Sequence, residues 1–119
     1  MRLFTVLVFD QIVRGTSEVV SSSEHNDLLG KAHDLVYEVE VEEATGTTPT
    51  LSLRHKVSNS GKGFIPMTDL LATVALDTFP YRNIARQTGP LGAMGQVAVQ
   101  LGGTSPVARV RIWVTGWSS

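Results

Sequence analysis

The chain contains no cysteine. That excludes disulfide stapling and thiolate metal sites, and it argues against a small disulfide-dependent secreted module without naming a compartment. Charge is scarce as well, at 18% of residues against a usual quarter. Formal net charge is −1 and no two Lys or Arg residues are adjacent, so the basic footprint of a nucleic-acid binder is missing and no nucleic acid is expected as a partner. Long apolar runs are also lacking. The N-terminal stretch is interrupted by Arg2 and Thr5 and ended by Asp10, too short for a membrane span and without a signal-peptide cleavage region. No membrane partner is expected, and Met1 reads as the start of a protein made in the cytoplasm.

What is present is 42% hydrophobic residues in 119, enough for one core and too little for two, so residues 1–119 are expected to form a single domain. With few charges, the surface must draw on Ser, Thr, Gly and Gln. Neutral surface of this kind is tolerated best where a partner covers part of it.

β-Branched and aromatic residues dominate 3–13 (Phe4, Val6, Val8, Phe9, Ile12, Val13), which predicts a long strand ended by Gly15-Thr16. A hairpin partner is expected at 17–22, then a polar surface loop to Lys31 with one helical turn near Asp27-Leu28-Leu29. Residues 35–42 alternate cleanly, with Tyr37, Val39 and Val41 on one face and Glu38, Glu40 and Glu42 on the other. The acidic row reads as an edge strand defended against aggregation, or as a docking strip for a basic surface. A turn at Gly46-Thr47-Thr48-Pro49 precedes a strand in which Leu51, Leu53 and His55 share a face. Residues 67–76 fit either a short helix or a strand. Residues 79–86 are expected to cross one end of the domain, punctuated by Gly89-Pro90-Leu91-Gly92. Two strands, 95–101 and 108–115, close the chain as a hairpin across Gly102-Gly103-Thr104-Ser105-Pro106.

About eight short strands with regular turns define an all-β, antiparallel β-sandwich, jelly-roll-like, with a closed barrel as the rival. An internal echo accompanies this pattern. Gly46-Thr47-Thr48-Pro49 recurs as Gly103-Thr104-Ser105-Pro106, and each is followed by a strand with Leu53-Arg54 or Val110-Arg111 at matching offsets.

Chemistry-bearing constellations do not assemble from the sequence. His25, His33 and His55 show no metal-ligand spacing, so no metal is expected. Ser21, Ser22 and Ser23 lack a nucleophile elbow. Glu38, Glu40 and Glu42, or Asp69 with Asp77, could supply paired carboxylates, but no aromatic cleft surrounds them. Gly61-Lys62-Gly63 lacks phosphate-loop spacing. Neither catalytic residues nor a cofactor are expected, and the chain reads as a non-enzyme. The pointed surface feature is the last strand, where Arg109, Arg111 and Trp113 share a face with Trp117 just beyond; Trp and Arg are the residue types most enriched at interface hot spots. The acidic row Glu38, Glu40, Glu42 offers a complement in a neighbouring subunit. A carbohydrate-binding module stacking sugars on Trp113, Trp117 and Tyr81 is the alternative.

Two stretches carry a resemblance: Gly46-Thr47-Thr48-Pro49-Thr50-Leu51-Ser52-Leu53 with the following Asn-Ser-Gly loop, and 101–114, where Gly-Thr-Ser-Pro introduces Val107-Ala108-Arg109-Val110-Arg111-Ile112-Trp113-Val114. They resemble small virion proteins of tailed bacteriophages, similar to capsid decoration or cement proteins of the kind found on a Bordetella podophage. The likeness covers the last two-thirds of the chain and leaves 1–31 unmatched. It implies a jelly-roll-like fold, homotrimers on the outer capsid surface, the major capsid protein as partner, and stabilisation of the shell against internal DNA pressure.

Overall fold

Alternating apolar and polar residues are carried by two strands of unusual length. The computed structural model describes residues 2–88 and 92–118. Its elements are β1 (Arg2–Arg14), β2 (Val19–Val20), a 3-10 turn (Ser23–His25), α1 (Asn26–Lys31), β3 (His33–Ser58), β4 (Ile65–Ala75), β5 (Tyr81–Gln87) and β6 (Met94–Ser118). β3 and β6 pair antiparallel along their whole lengths, from His33 opposite Trp117 to Ser58 opposite Met94.

Each long strand bends in the middle, and its two halves take different outer neighbours. The first half of β3 pairs with β5, and the second half of β6 pairs with β1. This gives one layer in the order β1, β6, β3, β5. The other halves pair with β2 and β4, giving a second layer in the order β2, β6, β3, β4. Six continuous strands therefore make eight segments in two four-stranded layers, the expected antiparallel sandwich, with the two bent strands shared between layers.

The bends are the two Gly-Thr-x-Pro corners, and they interlock. Thr47 lies opposite Thr104. Gly46 (φ 108°) matches Gly103 (φ 101°), and Thr48 (φ 48°) matches Ser105 (φ 50°). Proline cannot donate to a ladder, but its carbonyl still accepts: Leu76 N donates to Pro49 O at 3.0 Å and Gly15 N donates to Pro106 O at 2.9 Å. A Cβ on Gly46 would lie 2.7 Å from Thr104 O, and one on Gly103 would lie 2.6 Å from Thr47 O. The echo in the sequence is thus a local two-fold in which each corner is the other's floor.

The interior lies between the layers. Tyr37, Val39, Val41, Ile112 and Val114 from one layer meet Leu51, Leu53, Val97 and Val99 from the other, all 1% exposed or less. Burying a side chain of this size contributes about 1.5–3 kcal/mol each.

Several expectations are corrected. The corner at 102–106 is a bend inside β6 rather than a hairpin loop, and 46–49 is a bend inside β3 rather than a turn between strands. Residues 17–22 do not pair with β1; Val19–Val20 adds to β6 instead. Of the two readings left open for 67–76, the strand holds, up to Ala75, while 79–86 supplies β5 rather than a crossing loop. The polar segment before Lys31 is not all surface, since Leu29 in α1 is fully buried. The expected Gly89-Pro90-Leu91 break lies outside the described residues.

Candidate functional site

The period of two places every second residue of the first layer on its outward face. From β6 these are Arg109, Arg111, Trp113, Thr115 and Trp117. Their register partners on β1 are Ile12, Asp10, Leu7, Thr5 and Leu3. On the other side, Val36, Glu38 and Glu40 of β3 lie opposite Thr115, Trp113 and Arg111, and Arg86, Ile84 and Arg82 of β5 follow in the next row. All the site residues expected from the sequence therefore sit on one sheet face.

That face has two unlike ends. One is an ion-pair ladder crossing all four strands. Arg109 donates from Nε and Nη2 to the two oxygens of Asp10, at 3.0 and 3.2 Å, the bidentate arrangement that suits a guanidinium best. Arg111 Nη1 donates to Glu42 Oε1 at 2.7 Å and to Glu40 Oε1 at 3.4 Å, with its Nε 3.6 Å from Asp10. Arg82 Nη2 donates to Glu38 Oε2 at 2.8 Å and its Nε lies 3.7 Å from Glu40. The Arg109 hydrogen bond holds the Asp10 carboxyl below its ordinary range. The Glu42 and Glu38 bonds push the Arg111 and Arg82 guanidiniums upward. Three guanidiniums face four carboxylates, so the ladder keeps one formal negative charge. The complement of the acidic row, expected in a neighbouring subunit, is already present within the chain. Nor is the row on an edge strand: β3 lies between β6 and β5.

The other end is apolar. Leu3, Leu7, Ile84 and Trp117 are 56%, 40%, 64% and 40% exposed, with Trp113 and Val36 half-buried between them. Shallow depressions run along this band, one lined by Thr5, Val36, Ile84 and Trp113, the next by Leu3, Arg86 and Trp117. Thr5, Thr115, Glu38 and Arg86 are interleaved with these side chains, and exposed apolar groups gathered on one face among polar ones mark an interaction surface.

Sequence reading did not include Asp10, Arg82, Leu3, Leu7 or Ile84 in this face. The exposed apolar Leu3 and Leu7, two repeats of the pleat apart, were a usable signal for β1. β5 instead mixes apolar and polar residues on both faces, Arg82, Ile84 and Arg86 on one and Tyr81, Asn83 and Ala85 on the other, and so shows no alternation.

Other chemistry-bearing residues lie elsewhere. His55 is buried, His25 Nε2 lies 3.5 Å from Glu24, and His33 sits at the start of β3. Among the described residues no three His, Asp or Glu side chains are grouped as a metal site. Ser21 Oγ accepts from Val97 N at 3.1 Å in a structural role. On the outer face of the second layer, Glu18 bridges Lys56 and Arg54 at 2.8 and 3.2 Å, and the Lys56 bond holds its carboxyl low.

No protein-family model and no curated protein sequence matches this chain. Its fold is similar to part of a chain in the structure of infectious bursal disease virus Gx strain, with TM-score 0.59 and 13% identity over 96% of this chain and 32% of that one. A chain in the structure of the Gt strain of the same virus gives TM-score 0.53, also at 13% identity, over 96% and 31%. The chain thus spans about a third of the length of those it matches. At this identity the likeness establishes a shared β-sandwich fold.

Proposed function

We propose that the chain is a structural virion protein, a capsid decoration or cement protein that docks on the outer shell through the outward face of its first layer. The observation carrying this reading is the apolar band of Leu3, Leu7, Ile84, Trp113 and Trp117 beside an ion ladder already paired within the chain. Exposed apolar rings and aliphatic side chains gain by being covered. The paired ladder can form a polar rim without stranding unpaired charges under the partner. Fold likeness to chains from virus structures supports the same reading. The partner is then the major capsid protein, the working location is the virion surface after synthesis in the host cytoplasm, and the copies assemble in threes. The role calls for no catalysis, metal or cofactor.

The carbohydrate-binding alternative needs Trp113, Trp117 and Tyr81 on one platform. Tyr81 lies opposite Val41, on the inward side, and packs against the core, so it does not join the two tryptophans.

Binding of the purified protein to shells stripped of it tests the proposal. Trp113→Ala and the more exposed Trp117→Ala are each expected to weaken binding by more than about tenfold, as truncation of an aromatic anchor does. Unchanged shell binding by both folded variants would overturn the assignment.

A further inference from the structure

The two layers leave four outer strands, β1 and β5 in one and β2 and β4 in the other. Natural proteins protect such edges with shortness, charge, proline or bulges, because an unprotected edge recruits another strand. Three of the four are protected. β2 is two residues long. β5 carries Arg82 and Arg86 within seven residues. β4 contains Pro66 and Asp69, and its pairing to β3 is interrupted by three register shifts. β1 differs. It has charges at Arg2, Asp10 and Arg14 and a bulge between Leu7 and Phe9, but ahead of the bulge Leu3-Phe4-Thr5-Val6-Leu7 has no charge, proline or glycine, and β6 occupies only one of its sides among the described residues.

We propose that the free edge of β1 is a contact between two copies of this chain, formed by antiparallel pairing of β1 with β1 across a two-fold axis at Thr5. Parity and the bulge restrict the register, and the extent of the uncharged stretch chooses within it. Opposite residues in an antiparallel pair share a face, so outward residues must meet outward ones. The irregularity between Leu7 and Phe9 reverses the alternation there, which confines regular pairing to the residues before it. Centring on Thr5 satisfies both conditions and pairs all five uncharged residues, whereas centring on Phe4 would draw Arg2 into the contact and set Leu3 against Thr5. Leu3 of one copy meets Leu7 of the other, Thr5 meets Thr5, and on the inner side Phe4 meets Val6. A second copy is the occupant that this segment complements by itself, since a two-fold contact requires each patch to fit its own image. Leu3 and Leu7 would then pack side by side across the seam while still facing outward, and the apolar bands of the two sheets would run on as one. This contact is separate from shell docking; where copies also assemble in threes, it joins one trimer to the next.

The absence of native cysteine makes a direct test available. Facing Cα atoms in an antiparallel pair are about 4.5–5.5 Å apart, within the range a disulfide spans. Thr5→Cys is expected to give a covalent dimer under mild oxidation. Ile12→Cys, also exposed on β1 but beyond the bulge, is the control and is expected to remain largely monomeric on a non-reducing gel. Leu3→Lys with Leu7→Lys is expected to halve the solution mass and to abolish the Thr5→Cys crosslink. Crosslinking of Thr5→Cys no greater than that of Ile12→Cys, or a wild-type mass of one or three copies that the lysine pair leaves unchanged, would overturn the inference. Shell binding is read separately, so its failure would count against the cement role and not against this contact.

Discussion

The Tyr37 hydroxyl and His55 Nδ1 lie 2.7 Å apart in the sealed interior, a polar contact that ties one layer of the sandwich to the other. Their rings meet edge to face, with centroids 6.0 Å apart. His55 Nε2 has no hydrogen-bond partner, so the imidazole is held by one nitrogen alone. Burial drives both groups toward their neutral forms, pushing the Tyr37 hydroxyl up and the His55 imidazole down to about 4. Its neighbours along the ladders are Val97 and Thr68, and Arg54 and Lys56 on its own strand point to the opposite face, so none of these neighbours offers a carboxylate to a charged ring.

Acid sensitivity follows. The unfolded chain protonates His55 near 6.5, the folded one near 4, so between these values the unfolded state binds more protons and stability falls as pH falls. The full effect is present above pH 6.5, and the loss saturates below about 4 at on the order of 3 kcal/mol. Below that, protonation of Asp10, whose folded value is depressed, removes a further ionic contribution. Urea unfolding from pH 7 to pH 4 is expected to show this slope in the wild type and to lose most of it in His55→Phe. An equal slope in both would show that other groups carry the titration.

Removing the hydroxyl alone separates the hydrogen bond from the charge. Tyr37→Phe keeps the ring and leaves His55 with both nitrogens unpaired in an apolar space. A buried polar group stripped of its partner costs about 1–3 kcal/mol, and a loss of that size is expected at pH 7, measured by the urea midpoint. No loss would mean that water already reaches the pair.

The interlocked corners predict a coupled pair of defects. Gly46→Ala and Gly103→Ala each impose a side chain at positive φ and drive a Cβ to within 2.7 Å of backbone in the opposite corner. Neither can be relieved by turning a flexible side chain away. Each is expected to cost more than the 1 kcal/mol or so of a simple left-handed alanine. Once one corner has shifted, the other has room, so the double variant is expected to lose less than the sum of the singles. Strict additivity in thermal or chemical unfolding would refute the interlock.

Much of this architecture was legible in the residues, because the period of two is local. Tyr37, Val39 and Val41 against Glu38, Glu40 and Glu42 needs eight consecutive residues to be read, and so does 108–115. Pairing partners are not local. Nothing near Val19–Val20 points to Val99 and Ala98 in β6, and nothing near Glu38 points to Arg82. The acidic row therefore read as a defended edge or a docking strip when it lies on a strand paired on both sides and is ion-paired within the chain. The corners misled for a related reason: glycine followed by proline serves a bend within a strand as well as a turn between strands. β4 was ambiguous because its three register shifts break the alternation that would have marked it.

The ladder predicts little for stability and much for its salt dependence. Arg111 touches Asp10, Glu40 and Glu42, and its removal leaves three carboxylates crowded beside only Arg109 and Arg82. These groups lie on the outward face, Glu42 well exposed and Arg111, Glu40 and Asp10 partly covered, where each attraction is modest and within reach of screening ions. Arg111→Met is therefore expected to cost far less than the roughly 2–5 kcal/mol of a core truncation such as Leu53→Ala. Its cost is also expected to shrink further as sodium chloride rises from 0.02 to about 0.5 M, where screening acts within a few ångströms. The Leu53→Ala loss, resting on apolar burial, is expected to show no such decline. Unfolding midpoints of both variants across the salt series decide the matter, and a large, salt-independent loss for Arg111→Met would mean that the ladder holds the layer together rather than lining its rim.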